Sequence, residues 1–121
     1  MVGASAALWS VLGDLAHLQG DHRRAIARYS QVLAHHPRSL SALLARAVAR
    51  CRSGEVRGLE DLHAAIKFHP TSYRAYYYRW HLRRGFGDPA AEADLQMARS
   101  LAGPCERFWL EWMAGQAATG P

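Results

Sequence analysis

The residues most able to make chemistry stand close together between Tyr73 and Arg84, a stretch holding four Tyr, one Trp and four Arg without an acid. Tyr, Trp and Arg offer large contact area with a polar handle, and Arg also stacks on aromatic rings. The chemistry such a stretch supports is recognition of an acidic or aromatic segment. Catalytic patterns are absent. There is no HExxH, no Gly-rich phosphate loop and no Ser/His/Asp or Cys/His set at interpretable spacing. Glu60 and Asp61 are adjacent on a predicted helix and so point apart, unlike a catalytic pair. His35, His36 and His69 each precede a proline at a helix end, where the helix dipole is reason enough for a histidine. Cys51 and Cys105 lie far apart without metal-type spacing or a disulfide framework. The sequence therefore predicts no enzyme, no metal site and no cofactor.

Charge and composition set further bounds. The chain has 121 residues, room for one compact domain, and half of them are hydrophobic. Its net charge of +5 is carried by 14 Arg and the single Lys67, which favours acidic partners in principle. The apolar start, residues 1–12, lacks a basic n-region and is cut short by Asp14 just beyond it, so it reads as a helix and not as a signal peptide. No run of apolar residues is long enough to predict a membrane span. Together with the absent disulfide framework, this leads to the expectation of an intracellular, cytoplasmic protein.

The elements that must position these residues are set by a period. Pro37 to Pro70 is 33 residues and Pro70 to Pro104 is 34, while Tyr29, Leu62 and Leu95 fall 33 apart, as do Val32, Ala65 and Ala98. Self-similarity at that spacing indicates stacked helical repeats. Residues 6–18 are expected to be helical, with Leu8, Leu12, Leu15 and Leu18 as one apolar stripe. Gly20-Asp21 ends that helix and caps the next, which runs to His35 with Ala25, Ile26, Tyr29, Val32 and Leu33 inward. Ser39 caps a third helix, Leu40–Arg52, in which Ala42, Ala45 and Ala49 allow close approach. Ser53-Gly54 leads to a fourth, where Gly58 lowers helix propensity. Thr71-Ser72 caps a fifth, Tyr73–Arg84. Asp88 at the N-cap and Pro89 at N1 start a sixth, and Pro104 opens a seventh, Cys105–Ala117.

Trp9, Leu12, Gly13, Ala25, Tyr29 and Pro37, repeated in part by Ala42, Ala45, Leu62, Ala65 and Pro70 and by Ala75, Tyr78, Ala91, Leu95 and Ala98, make the chain resemble the tetratricopeptide repeat (TPR) family. It departs at Ala16, at Arg46 and Arg79 where the family has Gly, and at Gly58 where it has Ala. Trp109 falls where the family's first Trp would be. The resemblance implies an all-α right-handed solenoid of antiparallel helix pairs. Its parts would be a tail 1–5, repeats 6–38, 39–71 and 72–104, a capping or half-repeat helix 105–117 and a tail 118–121. The aromatic last helix would be either the first half of a fourth repeat or a surface meeting another chain.

The function implied is a protein- or peptide-binding scaffold. Family members hold partner segments on the concave face, and by repeat numbering that face would carry Asp14, Leu43, Leu44, Arg50, Tyr73, Tyr76, Tyr77, Trp80, Arg83 and Arg84. The family's two-carboxylate clamp is not expected, because its five positions hold Ser10, Asp14, Leu44, Arg74 and Tyr77, of which one fits. Homo-oligomerisation through the apolar shelf of Leu43 and Leu44 or through the last helix is the alternative. Stacking of single-stranded nucleic acid ranks below it, since the basic residues form no continuous stripe.

Overall fold

The computed structural model describes residues 2–119, with side chains described for 6–116. Among them are seven helices and no strand: α1 (Val2–Leu18), α2 (His22–His35), α3 (Leu40–Arg52), α4 (Gly58–Phe68), α5 (Tyr73–Gly85), α6 (Ala91–Leu101) and α7 (Pro104–Thr119). The expected tails shrink accordingly. Helix α1 already includes residues 2–5 and α7 includes Ala118 and Thr119, while Met1, Gly120 and Pro121 lie outside the described residues. The described chain divides between Pro70 and Thr71 into two compact units.

In the first unit α1 packs on α2, α2 on α3 and α3 on α4. The turns follow the sequence. Asp21 caps α2 by accepting from the Arg24 N–H at 3.1 Å, Ser39 caps α3 through the Ala42 N–H at 3.3 Å, and Gly20 and Gly54 take positive φ of 78° and 81°. Helix α4 starts through a tight turn, with Leu59 and Glu60 donating to the Val56 and Arg57 carbonyls three residues back. Gly58 is thus its first residue and not an interior one, so the expected propensity cost does not arise.

The inward faces of α2 and α4 are largely those expected: Ala25, Tyr29, Val32 and Leu33, then Leu62 and Ala65. Helix α1 is different. Its buried side is made of Ala6, Gly13 and Ala16, with Trp9 and Leu12 half-buried. Three members of the predicted stripe, Leu8, Leu15 and Leu18, are exposed, as is Val11. The reason is Tyr29, whose ring lies so close to Gly13 that a Cβ there would stand 2.7 Å from its Cε1. A large ring on α2 needs the small side of α1 opposite it.

In the second unit α5 packs on α6, and α7 contributes Leu110 and Ala114 to the cores beneath Tyr73, Tyr76, Tyr77 and Trp80. Two predicted caps are corrected. Ser72 occupies the N-cap of α5 but its hydroxyl makes no capping bond. Asp88 accepts from the Ala90 N–H at 2.9 Å, which caps the turn Asp88–Ala90, and α6 begins after it at Ala91.

One polar arrangement occurs in both units with the 33-residue period of the chain. In the first, the buried Asp61 carboxylate on α4 accepts from Arg46 Nε at 3.1 and 3.2 Å, from Arg46 Nη2 at 2.7 Å and from Arg50 Nη1 at 3.0 Å. In the second, Asp94 on α6 accepts from Arg79 Nε at 3.0 Å twice, from Arg79 Nη2 at 2.7 Å and from Arg83 Nη1 at 2.9 Å. Each second arginine also faces an acid at the turn, Glu55 at 3.8 Å and Asp88 at 3.7 Å. The first helix pair lacks this device. The equivalent positions there hold Gly13, His17, His22 and Arg28; the Tyr29 hydroxyl donates to Asp14 Oδ1 at 2.6 Å instead, and the His17 and His22 rings lie 5.8 Å apart.

Candidate partner-binding surface

The ten residues singled out in the sequence separate on burial and on which unit holds them. In the first unit Leu43 and Leu44 are 3% and 8% exposed, so the predicted apolar shelf is core. Arg50, 6% exposed, is held by Asp61 and Glu55. Asp14 is exposed and accepts the Tyr29 hydroxyl; burial, and then this bond, push that phenol well above its ordinary pKa. These four residues have structural explanations within their own unit.

In the second unit Trp80 is 4% exposed and packs on Ala91, Leu95 and Ala114. Arg83 is tied to Asp94 and Asp88. The stretch Tyr73–Arg84 contains no acid of its own. In space Asp94 points back across the pair and neutralises two of the four arginines of α5, Arg79 and Arg83, while Asp88 lies in the intervening turn.

What is left outward on α5 is narrower than the expected groove. Tyr73, Tyr76 and Tyr77 are half-buried, each resting on the core of Ala98, Ala102 and Leu110. Burial, and then Tyr78, raise the pKa of Tyr77, which keeps it a neutral phenol. Arg74 and Arg84 are exposed. Hydrogen bonding to Tyr73 raises the pKa of the Arg74 guanidinium, and Arg84 lies over Trp80 with 5.6 Å from Cζ to the ring centroid. The Arg79 guanidinium covers Tyr76 at 5.5 Å. The surface is therefore three tyrosines fixed from below with a cation at each end of the helix.

The sequence reading missed two features that its own period contained. The recurrence of Arg46, Arg50 and Asp61 as Arg79, Arg83 and Asp94 is visible in the sequence, and a pattern of fixed sign at fixed spacing signals paired charges. Leu8, Val11, Leu15 and Leu18 have the 3-4-3 spacing of a helix-pairing seam, separate from the small-residue side of the same helix. Among the described residues no helix is long and apolar enough to cross a membrane.

A pair of antiparallel helices joined at a Gly-bearing turn, repeated every 33 residues, defines an all-α helical-repeat protein. The chain has the fold of the tetratricopeptide-repeat domains, and the resemblance read from its sequence holds in three dimensions. The first TPR of Spaghetti (RPAP3), bound to the HSP90 peptide SRMEEVD, matches with a TM-score of 0.78 at 18% identity, over 93% of this chain and 94% of that one. The first TPR domain of the human RPAP3 protein matches with a TM-score of 0.77 at 18% identity, over 96% and 97% of the two chains. The crystal structure of MamA protein matches with a TM-score of 0.75 at 27% identity over 82% of this chain, which spans 55% of the length of MamA. No protein-family model and no curated protein matches the sequence.

Proposed function

We propose that this chain is a non-enzymatic protein-interaction module that holds an acidic segment of a partner protein against α5. The observation that carries the reading is the outward face of that helix. Tyr73, Tyr76 and Tyr77 are half-exposed and anchored, and Arg74 and Arg84 are exposed outside the Asp94 cluster. Anchored rings lose little side-chain freedom on binding, and exposed guanidinium groups pair with carboxylates in a planar, two-bonded geometry. The fold supports the same reading, since the RPAP3 domain of like fold takes a peptide with three acidic residues in SRMEEVD. The two-carboxylate clamp is not the means here. Four of its five positions are unfit, and Leu44, at one of them, is buried.

The test is a titration of fluorescent SRMEEVD and of acidic peptides selected by display on the wild-type chain, repeated with Arg74→Glu/Arg84→Glu. Both arginines are exposed, so the variant is expected to keep the wild-type circular dichroism spectrum. A loss of at least about tenfold in affinity is expected, the effect of about 1.4 kcal/mol from reversing two rim charges. Selected peptides that bind both proteins equally would remove α5 from the site.

A further inference from the structure

We propose that the cleft between α2, α3 and α4 binds a small organic anion, a single carboxylate or phosphate head carried on a short apolar stem. All of its residues lie between Ser30 and Ala64, within the first unit. None belongs to α5, so the proposal goes beyond the function above and stands or falls apart from it.

The cleft has a volume of about 490 Å³, a size that takes a small-molecule ligand. Its lining is of two kinds. Leu33 and Ala34 on α2, Pro37, Leu43 on α3 and Ala64 on α4 are apolar. Arg46, Arg50 and Asp61 are the charged cluster that closes the α3–α4 pair, and Arg57 and Glu60 stand exposed at the mouth.

The charges of this cluster do not balance. Asp61 carries one negative charge and is shared by Arg46 and Arg50, although Arg50 is 6% exposed. A charge held away from water needs a counter-charge. Glu55 comes only to 3.8 Å from Arg50 Nε, and that nitrogen is buried without a hydrogen-bond acceptor. Arg46 gives Nε and one Nη2 hydrogen to Asp61 and one Nη1 hydrogen to Ser30. A guanidinium has two hydrogens on each terminal nitrogen, so Arg46 keeps one free donor on each. Paired donors of this kind match the two oxygens of a carboxylate or phosphate. Over the whole lining Arg46, Arg50 and Arg57 face Glu60 and Asp61, three cations against two acids. The excess of one suits one anionic head and not a polyanion.

The second unit shows that closing a helix pair does not require these extra groups. Its cluster of Arg79, Arg83 and Asp94 repeats the first, but 33 residues after Arg57 stands Ala90, and 33 after Ser30 stands His63. Lys67 likewise takes the register of the apolar Ala34. The third arginine, the hydroxyl and the apolar wall therefore come together only around Arg46 and Arg50.

The experiment is a titration of the isotope-labelled chain with hexanoate, hexyl phosphate, inorganic phosphate and hexanol, followed by NMR through the arginine Nε–H signals. Hexanoate or hexyl phosphate should shift the Arg46 and Arg50 signals to saturation, and the tighter binder identifies the head. Arg79 and Arg83, in a like cluster without a third arginine, should not move. Inorganic phosphate should bind at least about tenfold more weakly, the worth of roughly two buried methylenes, and hexanol should not bind. Arg57→Gln should weaken binding about threefold and Glu60→Gln should strengthen it about as much, the effect of one exposed charge. Both side chains are exposed and Arg57 makes no capping bond, so both variants should keep the wild-type circular dichroism spectrum. Arg46 and Arg50 signals that stay in place, equal shifts at Arg79 and Arg83, or unchanged affinity in Arg57→Gln would each overturn the proposal. So would inorganic phosphate or hexanol binding as tightly as the anions with a stem.

Discussion

Arg46 and Asp61 meet as a fork and a carboxylate across the α3–α4 pair, and Arg79 and Asp94 repeat the same contact across α5–α6 at nearly the same distances. Both aspartate side chains are 3% exposed, and the arginines opposite them are 19% and 17% exposed. Arg46 also donates from Nη1 to Ser30 Oγ on α2 at 3.1 Å, so in the first unit the cluster joins three helices.

Removing the acid should therefore unfold more than it loosens. Asp61→Ala leaves the buried Arg50 and the half-buried Arg46 without their main counter-charge. Breaking a buried pair from one side costs roughly 3–5 kcal/mol. Urea denaturation of Asp61→Ala and Asp94→Ala should show losses of that order, whereas Asp21→Ala, at an exposed pair, should lose about 1 kcal/mol, the worth of a helix cap. Equal losses in all three would mean the clusters contribute no more than a surface pair.

Two glycines should respond oppositely to the same substitution. In Gly13→Ala the new methyl meets the Tyr29 ring at 2.7 to 3.1 Å, and overpacking of this kind costs about 1–3 kcal/mol. In Gly115→Ala the methyl enters open space on α7, where the change should stabilise by about 0.5–1 kcal/mol through helix propensity. Thermal denaturation of the two variants beside wild type tests both signs at once.

Acidification through the histidine range should weaken the fold. Burial, with repulsion from Arg52 and His22 and only partial relief from Asp14, holds the His17 imidazole below its ordinary 6.5, and burial followed by Arg84 does the same to His81. The unfolded chain therefore binds these protons at a higher pH than the folded chain does. Stability is greatest above the ordinary histidine value and is lost as pH falls through about 6.5. The melting temperature should drop from about pH 7.5 to about pH 5, and His17→Asn/His81→Asn should flatten the drop. An unchanged slope in that variant would assign the effect to other groups.

How much of this could be read from residues alone differs between fold and site. The period, Gly20, Gly54 and the inward residues of α2 determine the helix pairs locally, and local signals survive translation into structure. The site depended on side chains reaching across a pair. Asp94 is fifteen residues from Arg79 in sequence yet within hydrogen-bond distance in space, and no helical wheel of α5 contains it. Leu43, Leu44 and Trp80 were assigned outward by repeat numbering, which carries no information on how far each helix is turned toward its neighbour. Helix α1 has two apolar sides, and composition cannot rank them. Tyr29 on the adjacent helix decides that the small side goes in.

The chain closes its helix pairs in two incompatible ways: a tyrosine ring over Gly13 in the first, a guanidinium fork on an aspartate in the second and third. Gly13→Arg alone would drive a cation into the Tyr29 ring beside Arg28, and Arg46→Gly alone would strand Asp61 with Arg50 over a void. Converting one solution into the other therefore takes changes on both helices of a pair. A hairpin of this protein should be exchangeable with another only as a whole cassette, both helices inherited together, which makes the helix pair, and not the residue, the unit by which such a chain can be lengthened or recombined.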